Sequence, residues 1–170
     1  MNTSRIIEAY GKLSCVVDVY SEDELKWITN QRDINPNVME YLMHCLPLES
    51  IHITEIDLFG LSWIRYAAKR CDPYGHMFMA GFLPMAGTTT GNAFYLDIEK
   101  DGVYFAEIDQ IMTHRDVVSC YKDEDMVDFK GITPENIRKA LYLVTETIEE
   151  FLLGLLDGNI YEDIVEKIDK

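Results

Sequence analysis

The sequence predicts an α+β fold, with helices first, a meander of about four to six antiparallel strands next, and helices again at the end. Three observations carry this. Phe94, Leu96 and Ile98 alternate with Tyr95, Asp97 and Glu99, and an Asp101-Gly102 turn follows, so a hairpin stands at the centre of the chain. Helix-start signals flank it, Ser21-Glu22-Asp23-Glu24 and Asn35-Pro36 before, Thr133-Pro134 after. With 170 residues and 48% apolar types, the chain is of single-domain length (1–170) and buries a core without disulfide staples.

The elements follow in order. Ser21 accepts from the Glu24 amide while Glu24 reaches back, which starts a helix with Leu25, Trp27 and Ile28 on its apolar side. Asn35 caps the next helix and Pro36 fills its first position; Val38, Tyr41, Leu42 and Cys45 keep helical spacing until Pro47. Residues 51–59 alternate imperfectly, which predicts a strand with a bulge, ended by Gly60. Residues 61–70 read as a short helix stopped by Asp72-Pro73. Residues 76–83 form an apolar run of strand length, and 84–92, with Gly87 and Gly91, a loop. The central hairpin is the alternating strand through residue 98, the turn Lys100-Asp101-Gly102, and a returning strand over 103–108. Asp123-Glu124-Asp125 reads as a solvated loop. Ile137, Leu141, Val144, Ile148, Leu152 and Leu155 fall at steps of three and four, which predicts one continuous helix from Pro134 to the stop at Gly158. A short last helix, 161–168, carries Ile164, Val165 and Ile168.

Thirty Asp and Glu face fifteen Lys and Arg, a net charge of −15, and the pI is about 4.5. Binding to nucleic acid or anionic lipid needs surplus cations to replace counterions, so both partner classes are excluded as expectations. A basic protein partner, a metal ion or simple solubility remain open. The charge is uneven: residues 1–96 hold 11 acids and 7 bases, residues 97–170 hold 19 acids and 8 bases. Met1 to Lys12 has no apolar h-region, and no apolar run reaches the ~18–20 residues that span a bilayer. The expectation is a cytoplasmic chain whose four scattered cysteines, Cys15, Cys45, Cys71 and Cys120, stay reduced.

Chemistry-bearing motifs are sparse. There is no Cys-x-x-Cys, no His-x-x-x-His and no Asp-rich calcium loop. His44-Cys45 point apart on a helix. Cys71 and His76 flank a turn, but two ligands do not make a site, so neither a metal nor a cofactor is expected. No Gly-x-Ser-x-Gly elbow exists, and His114-Arg115-Asp116 lacks every other kinase element. Gly87-Thr88-Thr89-Thr90-Gly91 has two readings, a backbone anion cradle or a surface connection. Trp27 and Trp63 are either partner anchors or core residues. No catalytic residue is assigned, and the chain is not expected to be an enzyme.

Met79-Ala80-Gly81-Phe82-Leu83-Pro84, Gly91-Asn92, Ala93-Phe94-Tyr95-Leu96-Asp97 and Gly102-Val103-Tyr104-Phe105 together resemble the centre of the SUKH superfamily, also called the Smi-Knr type. Glu55-Ile56-Asp57-Leu58-Phe59-Gly60-Leu61 is similar to the strand that precedes that centre, and Phe151-Leu152-Leu153-Gly154-Leu155-Leu156 to the closing helix. Asn92 departs from the Asp usual in that family, and Glu107-Ile108-Asp109 replaces the acidic or His residue after the Val strand. The resemblance covers a core over about 21–158 and implies a curved antiparallel sheet flanked by helices; the short C-terminal helix, within 160–169, lies beyond it. It also implies a class of proteins not known for catalysis, many of them bacterial immunity proteins that bind and neutralise a toxin, often a nuclease. Fungal members are signalling scaffolds.

The expected function is therefore an immunity protein that occludes a basic, nuclease-like toxin through an acidic face. Its expected contacts are the outward hairpin positions Tyr95, Asp97 and Glu99, with Glu107 and Asp109 near the end of the returning strand. A scaffold or small-ligand sensor of the same fold is the alternative, and an enzyme of unknown reaction the third reading.

Overall fold

The local signals decide where the N-terminal helices begin. The structure, a computed structural model, describes residues 1–13, 17–29, 32–70, 73–107, 109–114, 116–122, 125–158 and 160. Asn2 accepts from the Arg5 amide and opens α1 (Thr3–Lys12), which the sequence reading had not assigned. Its signal is the Ile6/Tyr10 spacing of one helical turn, and both residues are buried. The Ser21 capping box forms as expected: the Glu24 carboxylate accepts from the Ser21 amide and hydroxyl at 2.9 and 2.8 Å. These bonds, the backbone one first, hold Glu24 below its usual range and start α2 (Glu22–Thr29). Asn35 caps α3 (Pro36–His44) by accepting from Asn37 N at 2.9 Å.

Residues 51–59 form a hairpin rather than a single bulged strand. β1 (Ile51–Ile53) and β2 (Ile56–Leu58) pair with Ile53 opposite Ile56, so Thr54 and Glu55 make a two-residue turn. Thr54 takes φ of 55° there. α4 (Leu61–Arg70) is as expected. The apolar run 76–83 is not a strand. Its first part belongs to α5 (Tyr74–Met79), and Gly81, at φ 88°, ends the helix in the left-handed region that glycine tolerates. β3 (Phe82–Thr88) then runs through most of the expected loop, with a register shift at Pro84/Ala86 where proline lacks an amide to donate.

The central hairpin is β4 (Ala93–Asp97) and β5 (Val103–Ala106), with Phe94 opposite Phe105. Asp101 takes φ of 71° in the turn, a conformation Asp accepts more readily than most side chains. Beyond it lies a second sheet: β6 (Ile111–His114), β7 (Val117–Lys122) and β8 (Asp125–Lys130). Of the acidic run expected as a loop, Asp125 begins β8, and Asp123 and Glu124 lie outside the described residues.

The expected continuous C-terminal helix is three elements. α6 (Pro134–Ala140) starts at the Thr133 cap as expected. The chain then extends as β9 (Tyr142–Thr145), which pairs with β5. Thr147 caps α7 (Ile148–Leu156) by accepting from Glu150 N at 3.2 Å. Two local signals oppose a continuous helix: Tyr142, Val144 and Thr145 are strand-favouring types, and Thr147-x-x-Glu150 is itself a helix-start pattern. The expected last helix, 161–168, lies outside the described residues.

The result is a single α+β domain with a six-stranded antiparallel sheet, ordered β1-β2-β3-β4-β5-β9, covered on both faces. On one face Leu83, Phe94, Leu96, Val103 and Phe105 pack under α1, α2, α3 and α7. On the other, Phe82, Ala93, Tyr95 and Ala106 pack against Met77 of α5, Ile137 of α6, and Ile111, Val118 and Cys120 of the small sheet. Burying each large apolar side chain contributes ~1.5–3 kcal/mol. Asp101, 3% exposed, ties the first layer to the sheet. Its Oδ1 accepts from Ile148 N, the first residue of α7, and its Oδ2 from Asn37 Nδ2 of α3. A carboxylate at a helix N-terminus satisfies an otherwise orphaned amide and complements the helix dipole.

Asp101→Ala is expected to cost about 2–4 kcal/mol in urea unfolding, since one buried and one part-buried donor lose their acceptor. Asp101→Asn, which keeps one acceptor oxygen, costs less. Equal losses for the two variants contradict this. Cys45 is fully buried, and burial with the Glu40 charge pushes its thiol up to about 12 from 9.0. Native protein at pH 7 should leave the Cys45 peptide unlabelled by a thiol reagent, as peptide mapping will show. The unfolded thiol ionises near 9 and the folded one near 12, so this group lowers stability as pH rises between those values.

Candidate functional site

The five positions expected on one outward face are divided by the fold. Tyr95 and Asp97 are each 1% exposed, so they are not solvent-facing contacts. The expectation fails because alternation gives two faces and here both are buried. The small sheet, α5 and α6 cover the second face, and Tyr95 lies within that second core. Its phenol meets Tyr74 at a centroid distance of 5.9 Å, and burial, then Tyr74, raises its pKa well above the usual tyrosine value. Glu99 is exposed just past the end of β4. Glu107, half-buried, and Asp109, exposed, lie in the connection that leads from β5 to β6.

Asp97 instead organises the hairpin end. Its Oδ1 accepts from the amides of Glu99 and Lys100 at 3.1 and 3.2 Å, closing an Asx-type turn. Arg138 of α6 reaches the same carboxylate with both edges of its fork, Nε to Oδ2 at 2.6 Å and Nη2 to Oδ1 at 3.2 Å. Nη2 also meets Glu99 Oε2 at 2.6 Å. The Asp97 carboxylate, followed by Glu99, raises the Arg138 pKa above its usual value. Asp97 is thus a fully paired buried charge, and a carboxylate with both oxygens occupied is not free to act as base or nucleophile.

Arg138, Asp97 and Glu99 form one wall of a cavity of about 430 Å³. Ile132 and Pro134 line it from the α6 side, and Arg32 and Asp33 from the segment after α2. Arg32 lies over the Phe78 ring at 4.7 Å, and its Nη1 is buried with no hydrogen-bond partner among the described residues. Burial lowers its pKa.

Among the described residues, no group of three His, Cys, Asp or Glu side chains is placed to hold a metal ion. His76 faces Thr113 Oγ1 at 2.8 Å and thereby links α5 to the small sheet; Cys71 lies outside the described residues. The Thr-rich loop is the β3–β4 turn. Thr88 N donates to Asn92 O and Gly91 N to Thr88 O, so these amides are already used. At Gly87 a Cβ would meet Phe59 Cζ at 2.7 Å, so a larger residue there displaces the Phe59 ring from its stack on Trp63. Trp27 and Trp63 are partly buried against the main core. Among the described residues no helix is long and apolar enough to cross a membrane.

Sequence reading missed Arg138, whose partner is 41 residues away and gives no local signal. It also missed the small sheet. Its signal was present: Val118 and Cys120 alternate with Ser119 and Tyr121, and Val127 and Phe129 with Asp128 and Lys130. Comparison of the chain with family models, with curated proteins and with solved structures finds no match in any of the three.

Removing one partner of a buried pair strands the other. Arg138→Ala is expected to destabilise by about 3–5 kcal/mol, and Asp97→Ala/Arg138→Ala by less than the sum of the single changes. Additive losses in a denaturation double-mutant cycle contradict the pairing.

Proposed function

We propose that this chain is a non-catalytic binding protein that neutralises a basic, nuclease-like protein toxin by covering its nucleic-acid cleft. One observation carries the reading. In the half of the chain with 19 acids against 8 bases, Glu99, Asp109, Asp116, Asp125 and Asp128 all face solvent. Such a surface repels nucleic acid and attracts the cationic cleft that binds it, raising the encounter rate and disfavouring acidic competitors. The SUKH resemblance supplies the toxin-directed role. Occlusion needs no general base or nucleophile, which fits an Asp97–Arg138 pair spent on structure.

The test is co-purification with, and inhibition of, a nuclease-like toxin domain encoded beside this gene. The expected result is a stable complex in which the domain no longer cleaves nucleic acid; full cleavage with the chain in excess contradicts the reading. Neutralising Asp109, Asp116, Asp125 and Asp128 to Asn changes the net charge from −15 to −11. Stopped-flow association should then slow ~10-fold at low ionic strength, and the difference should shrink as salt rises. A rate independent of both salt and these substitutions contradicts the charge mechanism.

A further inference from the structure

We infer that the outer face of the β6–β7–β8 sheet is the docking surface, and that it takes a basic protein surface with an apolar centre. This rests on the binding reading above and names its contact face. The inner face of this sheet is committed to the second core through Ile111, Val118 and Cys120. By alternation, Met112, His114, Ser119, Tyr121, Met126, Asp128 and Lys130 point the other way. Register makes them neighbours: Tyr121 pairs with Met126, Met112 with Ser119, and Ser119 with Asp128.

Met112, Tyr121 and Met126 are 48%, 42% and 48% exposed. A single exposed apolar side chain is ordinary, whereas three large ones adjacent on one short sheet form a patch of the kind that marks contact sites. Tyr and Met are enriched at such sites, and the unbranched Met side chain adapts to the surface it meets. Asp128 lies in the face, and Asp109 and Asp125 stand at the end of the sheet nearest Tyr121 and Met126. An apolar centre with a charged rim is the usual anatomy of a protein interface. On this face and its edges the exposed Asp109, Asp116, Asp125 and Asp128 outnumber the exposed Lys130, so the charge is net negative and the complementary rim is cationic. A second copy of the chain brings the same acids against it and is disfavoured by repulsion.

The probe is the nuclease-like toxin domain used above, with affinity measured by calorimetry. Met112→Ser, Tyr121→Ser and Met126→Ser are combined in one variant. Ile7→Ser, Val19→Ser and Tyr66→Ser, which alter exposed apolar positions elsewhere, make the control. The outer-face variant is expected to lose at least 100-fold in affinity with an unchanged Tm, while the control binds as the parent does. An outer-face variant that binds as tightly as the parent overturns this face and leaves the binding reading intact. No binding by the parent chain overturns both. A lowered Tm is resolved by Met112→Lys and Met126→Lys singly, exposed changes that repel a cationic rim; unchanged affinity in both overturns the face.

Discussion

Two buried carboxylates in one turn hold the layers of this protein together. Asp97 and Asp101 bracket the β4–β5 connection, where Asp97 N donates to Gly102 O and Asp101 N to Asp97 O, both at 2.9 Å. From this turn Asp97 reaches Arg138 on α6, in one layer, and Asp101 reaches α3 and the first amide of α7, in the other. A low-dielectric interior makes an unpaired charge costly and a fully bonded one specific in its geometry. Both carboxylates use both oxygens, so the sheet, α3, α6 and α7 share one register.

That arrangement changes the meaning of the acidic composition. Asp97 and Asp101 are structural, and their charges are spent on buried partners. The acids available to another molecule lie farther along the chain, on and around the small sheet. The molecule therefore separates its work by layer. Helices and the six-stranded sheet make the main core, while the three-stranded sheet uses its inner face for packing and exposes Met112, Tyr121 and Met126 on its outer face. The cavity beside Arg138 lies at the seam between the two layers.

Legibility in the sequence followed the range of the interaction. The Ser21 box, the Asn35-Pro36 start, the Thr133-Pro134 start and the Asp101-Gly102 turn are local, and each forms as read. The hairpin strands were legible for the same reason. Failures came where a distant partner decided. The stretch Tyr142 to Thr145 continues an apolar helical stripe, yet the open edge of β5 draws it into the sheet. Tyr95 and Asp97 alternate like wet-face residues, yet a layer built from residues 74–79, 111–130 and 134–140 covers them. Among the expected contacts, Glu99, Glu107 and Asp109 keep a share of solvent, and the apolar patch beside Asp109 required the strand register to be seen at all.

Side-chain footprinting with hydroxyl radicals tests the docking face most directly, because Met and Tyr side chains report their own solvent exposure. Met79, at 75% exposed, lines the cavity beside Arg138 rather than the outer face of the small sheet and serves as the internal reference. Docking on the outer face predicts that oxidation of Met112, Tyr121 and Met126 falls several-fold when the toxin domain is bound, with Met79 unchanged. Protection of Met79 with Met112, Tyr121 and Met126 still oxidised at the free-protein rate would contradict it.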